Sequence, residues 1–330
     1  HMTRRPLLHA LAAGLALAGP FSAAWAQPSD WPSKPVRIIV AFPPGAPGDV
    51  VARLVGEKLA AKWKQPVVVE NRPGAGGNIG MDAVAKSAPD GYTLLVGPDT
   101  MYTVNPHIYR SMPVKPDTDL VPVTHLAAFT QMLVCHPGVG FSSVPELVKA
   151  AKEAAKGQAL SYASGGAGVP GHLAFEMLSD AAGIRMTHIP YRGPSPATQD
   201  VLGGQVPCGF LATPVVYPHV RSGKLKALAV SSATRSPLAK EVPTVAESGY
   251  PGFDASFAET LAAPRGTPAA LVQRIQADVA AALQDPALRQ QLQANDLDPL
   301  GITPEEAARR HAQGHAKWGQ VAAKVGLKLD

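Results

Sequence analysis

The sequence predicts an α/β protein of two α/β domains joined by a two-crossing hinge. Residues 36–70 alternate a short β-branched apolar run, an amphipathic run and a second apolar run, which is the pattern of a βαβ unit. The same alternation returns between residues 160 and 230. Two longer apolar stretches, residues 121–134 and 254–262, separate these regions and are predicted to cross between the domains.

The crossings set the predicted domain boundaries. The first domain comprises residues 27–126 and 252–330, and the second comprises residues 127–251. Apolar runs predict strands at 36–42, 67–70, 92–96, 160–163, 186–190, 208–211 and 226–230. Helical spacing predicts helices at 49–64, 78–88, after a capping box at Ser143 and Glu146, and at 172–181, 198–202, 215–221, 267–283, 286–294 and 303–325.

The N-terminus has the features of a secretory signal peptide. Arg4 and Arg5 form a positive n-region, residues 7–18 form an apolar run, and an A-x-A cleavage site ends at Ala26, so the mature chain is expected to begin at Gln27. The apolar run is shorter than the ~20 residues that span a bilayer. A general secretory signal is favoured over a twin-arginine signal. The sequence therefore predicts a soluble protein of the periplasm.

Charge and composition exclude some functions. The formal net charge is +5, and removal of Arg4 and Arg5 leaves 5 − 2 = +3, with the basic residues scattered along the chain. This distribution argues against nucleic acid as a partner. The 33 Pro and 31 Gly residues fall at the ends of predicted elements, which indicates many tight turns.

Cys135 and Cys208 are the two cysteines of the chain, and both lie in apolar runs that predict strands. An exported protein can oxidise such a pair. Sequence alone does not fix the distance between the two residues. Buried free thiols are the favoured interpretation, and a disulfide is the alternative.

Two glycine-rich turns are predicted to bind an anion. Residues 43–48 and 164–171 each follow a predicted strand and open a helix, where backbone N–H groups and the helix dipole favour negative charge. Gly166, Gly168 and Gly171 also fit the dinucleotide pattern G-x-G-x-x-G. That interpretation is disfavoured because the next predicted strand does not end in the acidic residue that would hold a ribose. The turns are instead predicted to face each other across an interdomain cleft.

A series of short motifs runs through the chain in order. They are FPPG at 42–45, ENRPGAGGNIG at 70–80, PDGYTLL at 89–95, NP at 105–106, YASG at 162–165, HL at 172–173, HIPYRG at 188–193, GGQV at 203–206, GKLKALAV at 223–230 and PRGTP at 264–268. In these motifs the chain resembles the Bug family (TctC-like), the extracytoplasmic solute-binding proteins of tripartite tricarboxylate transporters. The resemblance covers essentially all of the predicted mature chain.

The resemblance implies a type II periplasmic-binding-protein fold. It further implies a small carboxylate ligand, held mostly by backbone amides, hydroxyls and water, and delivery of that ligand to a membrane permease. Three departures concern the ligand: a Thr hydroxyl is missing before Asp49, Leu211 stands where many relatives have Asp, and residues 256–260 replace a segment that usually carries Trp. These changes affect the expected substrate rather than the expected fold.

Several candidate ligand contacts also have a structural interpretation. Asp49 is expected to cap its helix more than to touch ligand, and Ser164 either donates to a carboxylate or ties its own turn. Arg192 is expected at the cleft rim or in solvent, and Phe42 is expected to form a cleft wall. Tyr102, Tyr217 and Phe257 are weaker wall candidates, each expected in the core or on the surface more than in the wall. The predicted ligand-binding set is Phe42, Pro43, Gly45, Ala46, Pro47, Gly48, Asp49, Ser164, Gly165, Gly166, Ala167, Gly168, Arg192, Thr213 and Phe257.

Two functional hypotheses follow, a solute-binding protein and, as the alternative, an exported α/β enzyme acting on a small organic acid. The chain has no G-x-S-x-G motif. His311 and His315 are spaced i, i+4 without the glutamate of H-E-x-x-H, and are expected to be exposed rather than to bind zinc. The sequence thus predicts a monomeric binding protein without catalytic residues, metal or cofactor. The expected solute is a dicarboxylate without an amino group, with an aromatic diacid such as terephthalate also compatible.

Overall fold

The structure is a computed structural model that describes residues 30–330, of which Pro32–Asp330 form one compact unit. The predicted signal peptide and its cleavage site lie outside the described residues. Within residues 30–330, no helix combines the length and the apolar character that crossing a membrane requires.

The strands of the described chain form two sheets, one of six strands and one of five. The predicted strands are all present, and their boundaries agree to within two residues. The strands are β1 (Val36–Val40), β2 (Val67–Asn71), β3 (Thr93–Pro98), β4 (Leu120–Phe129), β5 (Gln131–Cys135), β6 (Ser161–Ser164), β7 (Thr187–Pro190), β8 (Cys208–Ala212), β9 (Lys226–Val230), β10 (Phe257–Pro264) and β11 (Asp298–Pro299).

The predicted helices are also present, and three short helices between β3 and β4 were not predicted. The predicted N-cap at Ser143 is confirmed, because its Oγ accepts from the Glu146 N–H. Thr303, where the last helix was predicted to start, is also an N-cap, with its Oγ1 accepting from the Glu306 N–H. The helices are α1 (Pro47–Trp63), α2 (Asn78–Ala85), α3 (Thr100–Thr103), α4 (Asn105–Ile108), α5 (Pro116–Asp119), α6 (Val144–Ala154), α7 (Pro170–Ala182), α8 (Pro194–Leu202), α9 (Thr213–Arg221), α10 (Ala269–Ala282), α11 (Pro286–Gln293) and α12 (Pro304–Val325).

The first sheet has the strand order β11-β4-β10-β3-β1-β2. β1 lies parallel to both β2 and β3, whereas β10 runs antiparallel to β3 and β4. Helices α1 and α2 both contact β1, and Val36, Ile38, Ile39 and Val40 of this strand are buried. The β-branched run is therefore covered by helices, as parallel sheets require. We call the part of the chain that carries this sheet the first lobe.

The second sheet has the order β7-β6-β8-β5-β9 and defines the second lobe. β6 lies parallel to β7 and β8, and β5 runs antiparallel to β8 and β9. The apolar stretch that was predicted as one crossing strand is two strands, since β4 of the first sheet ends at Phe129 and β5 of the second begins at Gln131. The return crossing enters the first sheet as β10.

Thr130, between these two strands, lies in a buried polar junction. Its N–H donates to Asp296 Oδ2 (3.2 Å), and its hydroxyl lies 3.1 Å from Ser231 Oγ. The Ser231 hydroxyl donates to the Ala255 carbonyl oxygen (2.8 Å), and Ser236 donates to Asp296 Oδ1. Hydrogen bonds thus join both crossings to the segment after α11, and this satisfies polar groups that would be costly to bury alone.

Cys135 and Cys208 form a disulfide, so the expectation of free thiols was wrong. The two residues are direct partners in the antiparallel register of β5 and β8, with their Cα atoms 4.0 Å apart. Directly opposed positions of an antiparallel pair bring Cα atoms to about 4.5–5.5 Å, which is within reach of a disulfide. The missing information was the strand register, which the two isolated apolar runs do not contain.

Removal of this disulfide is expected to lower the free energy of unfolding by about 4 kcal/mol. The bond closes a loop of 73 residues, and the chain-entropy relation gives about this value for a loop of that length. The measurement is urea unfolding of the wild type and of the Cys135→Ala, Cys208→Ala double variant, each with and without reductant. Reductant should weaken the wild type and leave the variant unchanged. Equal stability of the oxidised wild type and the variant would contradict the prediction.

Candidate functional site

The turn between β1 and α1 is organised by Asp49. This carboxylate accepts from the Gly45 N–H (3.0 Å), from Arg53 Nε (3.0 Å) and from Asn71 Nδ2 (2.9 Å). Asp49 was predicted as the helix cap, but α1 begins earlier, at Pro47, and its N-cap is Ala46. Asp49 therefore lies in the first turn and shapes the preceding loop through its side chain, with both carboxylate oxygens occupied.

The turn between β6 and α7 is held by Ser164 and two histidines. Ser164 Oγ donates to the Gly166 carbonyl oxygen (2.8 Å), accepts from the Gly166 N–H (3.2 Å) and lies 2.6 Å from His188 Nε2. His172 Nδ1 accepts from the Gly168 N–H (2.9 Å), and the His172 and His188 rings stack at 3.7 Å. Burial lowers the pKa of His172 to about 3 and that of His188 to about 4, so both are neutral at pH 7.

A cavity of about 50 Å³ lies between these two turns. A water molecule needs about 10–15 Å³ by the same kind of measure, so the cavity has room for only a few waters. The lobes touch at its edge, where a Cβ atom on Gly193 would lie 3.4 Å from Pro43 Cγ. The lining residues are Phe42, Ala46, Pro47, Pro98, Phe129, Gln131, Gly165, Val169, Pro170, Gly171, Gly193, Pro194, Ala212 and Glu259.

Four helices begin at this cavity. Their N-cap residues are Ala46 for α1, Val169 for α7, Gly193 for α8 and Ala212 for α9, and all four line it. None of these four helices has a side-chain hydrogen bond at its N-cap. Each of the four has Pro at its first or second position, which has no N–H, so the donors are the remaining N–H groups of the first turns. The positive ends of the four helix dipoles lie at the same cavity. The sequence indicated the first two helix starts and missed those of α8 and α9.

Close backbone packing places α7 at the cavity. A Cβ atom on Gly171 would lie 2.0 Å from the Phe210 carbonyl oxygen of β8 and 3.3 Å from Gln131 Oε1. Only glycine therefore allows the start of α7 to approach the neighbouring strand this closely. Val169, Pro170 and Gly171 lie inside the predicted second turn, although they were not in the predicted ligand-binding set.

The structure brings four of the predicted ligand-binding residues to the cavity, namely Phe42, Ala46, Pro47 and Gly165. Arg192 is exposed and does not line it. Thr213 is fully buried beside the junction, where its hydroxyl donates to the Thr130 carbonyl oxygen (3.2 Å). The other predicted residues that do not line this cavity are Pro43, Gly45, Gly48, Asp49, Ser164, Gly166, Ala167, Gly168 and Phe257.

Phe257 packs in the first lobe instead of forming a wall of the cavity. Its ring stacks on Phe129 at 5.9 Å and on Trp318 at 5.6 Å, and the residue is 2% exposed. Phe129, the last residue of β4, lines the cavity in its place. A phenylalanine at the end of the crossing strand was the sequence signal that could have indicated this wall.

Glu259 of β10 is the residue of the cavity that the sequence analysis missed most clearly. It is 2% exposed, and Oε2 has no hydrogen-bond partner in the described chain. A Cβ atom on Gly48 would lie 2.8 Å from this oxygen, so the glycine at the start of α1 makes room for the carboxyl group. Burial and the nearby Asp99 raise the pKa of Glu259 to about 8. The detectable signal was an acidic residue inside an otherwise apolar strand.

One of the two histidines of α12, His311, is placed differently from the sequence expectation, and His315 is exposed as expected. His311 is half-buried and stacked on Tyr102 at 4.3 Å, with its Nε2 atom 3.0 Å from His125 Nε2. Burial lowers the pKa of His311 to about 4. Across residues 30–330, no group of three or more His, Cys, Asp or Glu side chains is arranged to hold a metal ion.

A serine–histidine pair is present, but its geometry does not suit a nucleophile. Ser164 Oγ and His188 Nε2 are within hydrogen-bond distance, as in serine hydrolases. Ser164 is, however, fully buried, does not line the cavity, and both donates to and accepts from Gly166. The pair therefore stabilises the second turn.

Two α/β lobes that enclose a cavity between helix starts define a protein of the periplasmic-binding type. Residues 51–327 match the sequence profile of the family described as "Tripartite tricarboxylate transporter family receptor". Protein BugT of Bordetella pertussis is 37% identical over 330 residues, which cover 100% of this chain and 99% of that protein. The chain belongs to this receptor family, TctC, as the motifs indicated.

Solved structures show the same fold, and they include periplasmic binding proteins. R. palustris Rpa4515 with adipate gives a TM-score of 0.85 at 32% identity, covering 91% of this chain and 99% of that one. MatC from Rhodopseudomonas palustris with bound malate gives 0.81 at 29% identity, covering 88% and 99%. The predicted α/β periplasmic-binding fold is thereby confirmed.

Acid is expected to destabilise the protein through the histidines under the second turn. A buried histidine with a lowered pKa takes up a proton less readily in the folded protein than in the unfolded chain, whose histidines have the ordinary pKa of about 6.5. Its contribution to the free energy of unfolding is therefore fully present above about pH 6.5. That contribution is lost as the pH falls from about 6.5 towards 4, by up to about 1.4 kcal/mol per pH unit for each histidine.

The measurement compares the wild type with His188→Gln by urea unfolding between pH 7 and pH 5. The variant removes one titrating group whose folded pKa is about 4, so its stability should fall less steeply with acid than that of the wild type. If the free energy of unfolding of His188→Gln fell with acid as steeply as that of the wild type, or more steeply, the role given to His188 would be contradicted.

Proposed function

We propose that this protein captures a small carboxylate in the cavity between its lobes, in the periplasm, and delivers it to the permease of a tripartite tricarboxylate transporter. The observation that carries the proposal is the convergence of four uncapped helix starts on one cavity. Backbone N–H groups at helix starts bind carboxylates without a compensating cation. In the described chain, no Lys or Arg lines this cavity.

The solute that fits this arrangement best is a dicarboxylate. Helix starts from both lobes face the cavity, so each end of an elongated dianion has backbone donors, while Phe42 and Phe129 supply apolar contact for its middle. Two relatives hold adipate and malate, which are both dicarboxylates. An aromatic diacid such as terephthalate has the same two-ended charge pattern and belongs to the proposed class.

The two predicted turns, residues 43–49 and 164–171, are proposed to contact the solute together when the lobes close. We assign direct contact to Ala46, Pro47 and Gly165, with Glu259 and the starts of α8 and α9 added. Asp49 and Ser164 are assigned the role of holding the two turns in shape. The protein is proposed to work as a monomer, with no cofactor or metal and no nucleic acid partner.

Binding rather than catalysis is the proposed activity. An exported enzyme acting on an organic acid would need a nucleophile or a general base that reaches the cavity. The buried Ser164 hydroxyl does not line it, and Glu259, the one ionisable side chain among the lining residues in the described chain, has no nucleophile or second ionisable group beside it in that lining. We therefore expect no turnover of any solute that binds.

Lobe opening is proposed to admit the solute. The cavity lies between the two lobes, which approach each other at Gly193 and Pro43, so we propose that they separate by a hinge movement near Thr130 and the return crossing. The domains proposed to move are residues 27–126 with 252–330, and residues 127–251.

Calorimetric titration of paired compounds tests the solute class. We expect succinate to bind more tightly than aspartate, and adipate more tightly than glutamate, because an ammonium taken out of water needs an ionised partner. Terephthalate should bind more tightly than benzoate, since benzoate fills only one of the two anion sites. Tighter binding of the amino acids would contradict the charge argument, and equal binding of benzoate and terephthalate would contradict the two-ended site.

Small-angle X-ray scattering tests the hinge movement. The radius of gyration should be larger for the solute-free protein than for protein saturated with a dicarboxylate that binds in calorimetry, because the solute bridges the two lobes. The control is the same concentration of a compound that shows no binding in calorimetry. Superimposable curves that both match the closed structure would contradict closure.

A further inference from the structure

Glu259 is buried at the proposed binding site, and one of its carboxyl oxygens has no hydrogen-bond partner. The residue lines the cavity from β10, and its Oε2 atom, which lies beside Gly48, forms no hydrogen bond in the described chain. Burial of an unsatisfied carboxyl group is costly, so such a group commonly serves a function. The surrounding lining is apolar, glycine or the uncharged Gln131, so no charged group of the lining pairs with Glu259.

The charged groups packed around Glu259 are acidic or already engaged. Asp99, after β3, acts on Glu259 through space, and Lys317 of α12 acts on Asp99 while its Nζ atom donates to the Asp254 carbonyl oxygen (2.7 Å). At the start of α1, Asp49 already accepts its three hydrogen bonds. On β4, His125 is buried against His311, and its pKa is lowered to about 3. No described cation therefore stabilises an ionised Glu259.

We propose that protonated Glu259 donates a hydrogen bond to a carboxylate oxygen of the solute, so that solute and proton bind together. The inference rests on the proposed function, because the solute must be a carboxylate. No covalent bond changes, and the proton stays on the Glu259 carboxyl group while its hydrogen bond replaces one to water. An ionised Glu259 would place a third negative charge beside a dianion in a poorly solvated cavity.

The protonated form is available near neutral pH. Burial and Asp99 hold the pKa of Glu259 at about 8 in the solute-free protein, and a hydrogen bond to a bound carboxylate raises it further. Linkage then requires the solute to bind more weakly as the pH rises above about 8, with a limit of tenfold per pH unit. Below about pH 7 the affinity should change little.

The experiment is calorimetric titration of the full mature protein with adipate, malate and terephthalate at pH 6, 7, 8 and 9. These compounds stay ionised throughout this range, so a change in affinity reports on the protein. Each titration is repeated in two buffers of different ionisation enthalpy, which reveals protons taken up on binding. The wild type should bind about tenfold more weakly at pH 9 than at pH 7 and should take up a proton, approaching one per solute, at pH 9.

Two variants identify the group that carries the proton. Glu259→Gln keeps an N–H donor at the same position, so its affinity should not change between pH 6 and pH 9, and its proton uptake should be absent. Asp99→Asn is the matched control, because Asp99 is a neighbouring buried acid that does not line the cavity. The affinity of Asp99→Asn should still fall as the pH rises. The midpoint of this fall should lie at lower pH than in the wild type, because the charge of Asp99 raises the pKa of Glu259.

The outcomes separate this inference from the proposed function. Binding of these dicarboxylates by the wild type without pH dependence would overturn the inference alone, and so would a fall that persists in Glu259→Gln but disappears in Asp99→Asn. Glutamate binding that strengthens with rising pH would also overturn it, because Glu259 would then act as an ionised partner for an ammonium. If none of the three dicarboxylates binds at any pH, both the proposed function and the inference fail.

Discussion

The buried junction around Thr130 fixes how the two sheets meet. Asp296, from the segment after α11, accepts from the Thr130 backbone at the first crossing and from Ser236 after β9, so one carboxylate ties three distant stretches of chain. Burial raises the pKa of this group to about 6. With both crossings held at one point, the edges where parallel strands end face each other, and helices that follow those strands begin at the same cavity.

The cavity differs from a site that binds anions through Lys or Arg. A guanidinium or ammonium group would hold a carboxylate strongly and would also lose much hydration energy on closure. Within each lobe, the partial charges at uncapped helix starts are fixed in place before the solute arrives, so these donors need little reorientation on binding. In the proposed site, a solute is selected by whether its carboxylate oxygens reach the helix starts. The apolar side chains exclude water from the space between those helix starts. Selectivity then depends on shape and on the few polar side chains present.

Much of the fold could be predicted from the sequence because its signals are local. The β-branched run at Val36–Val40 and the caps at Ser143 and Thr303 determine their elements without distant partners. The disulfide, the stacking of Phe257 on Trp318 and the placement of Glu259 depend on strand register and on contacts between distant segments. The cleft loops were predicted as loops, yet only tertiary packing decides which of their residues reach the cavity.

The Cys135–Cys208 bond also has a consequence for the biogenesis of the protein. The bond joins adjacent strands of the second sheet, and such bonds form and persist mainly in oxidising compartments. Under the proposed export to the periplasm, the newly made chain lacks this cross-link in a reducing compartment, and its second lobe is correspondingly easier to keep unfolded for a translocation channel. Oxidation in the periplasm would then make folding harder to reverse, so the proposed direction of transport and the order of folding would reinforce each other.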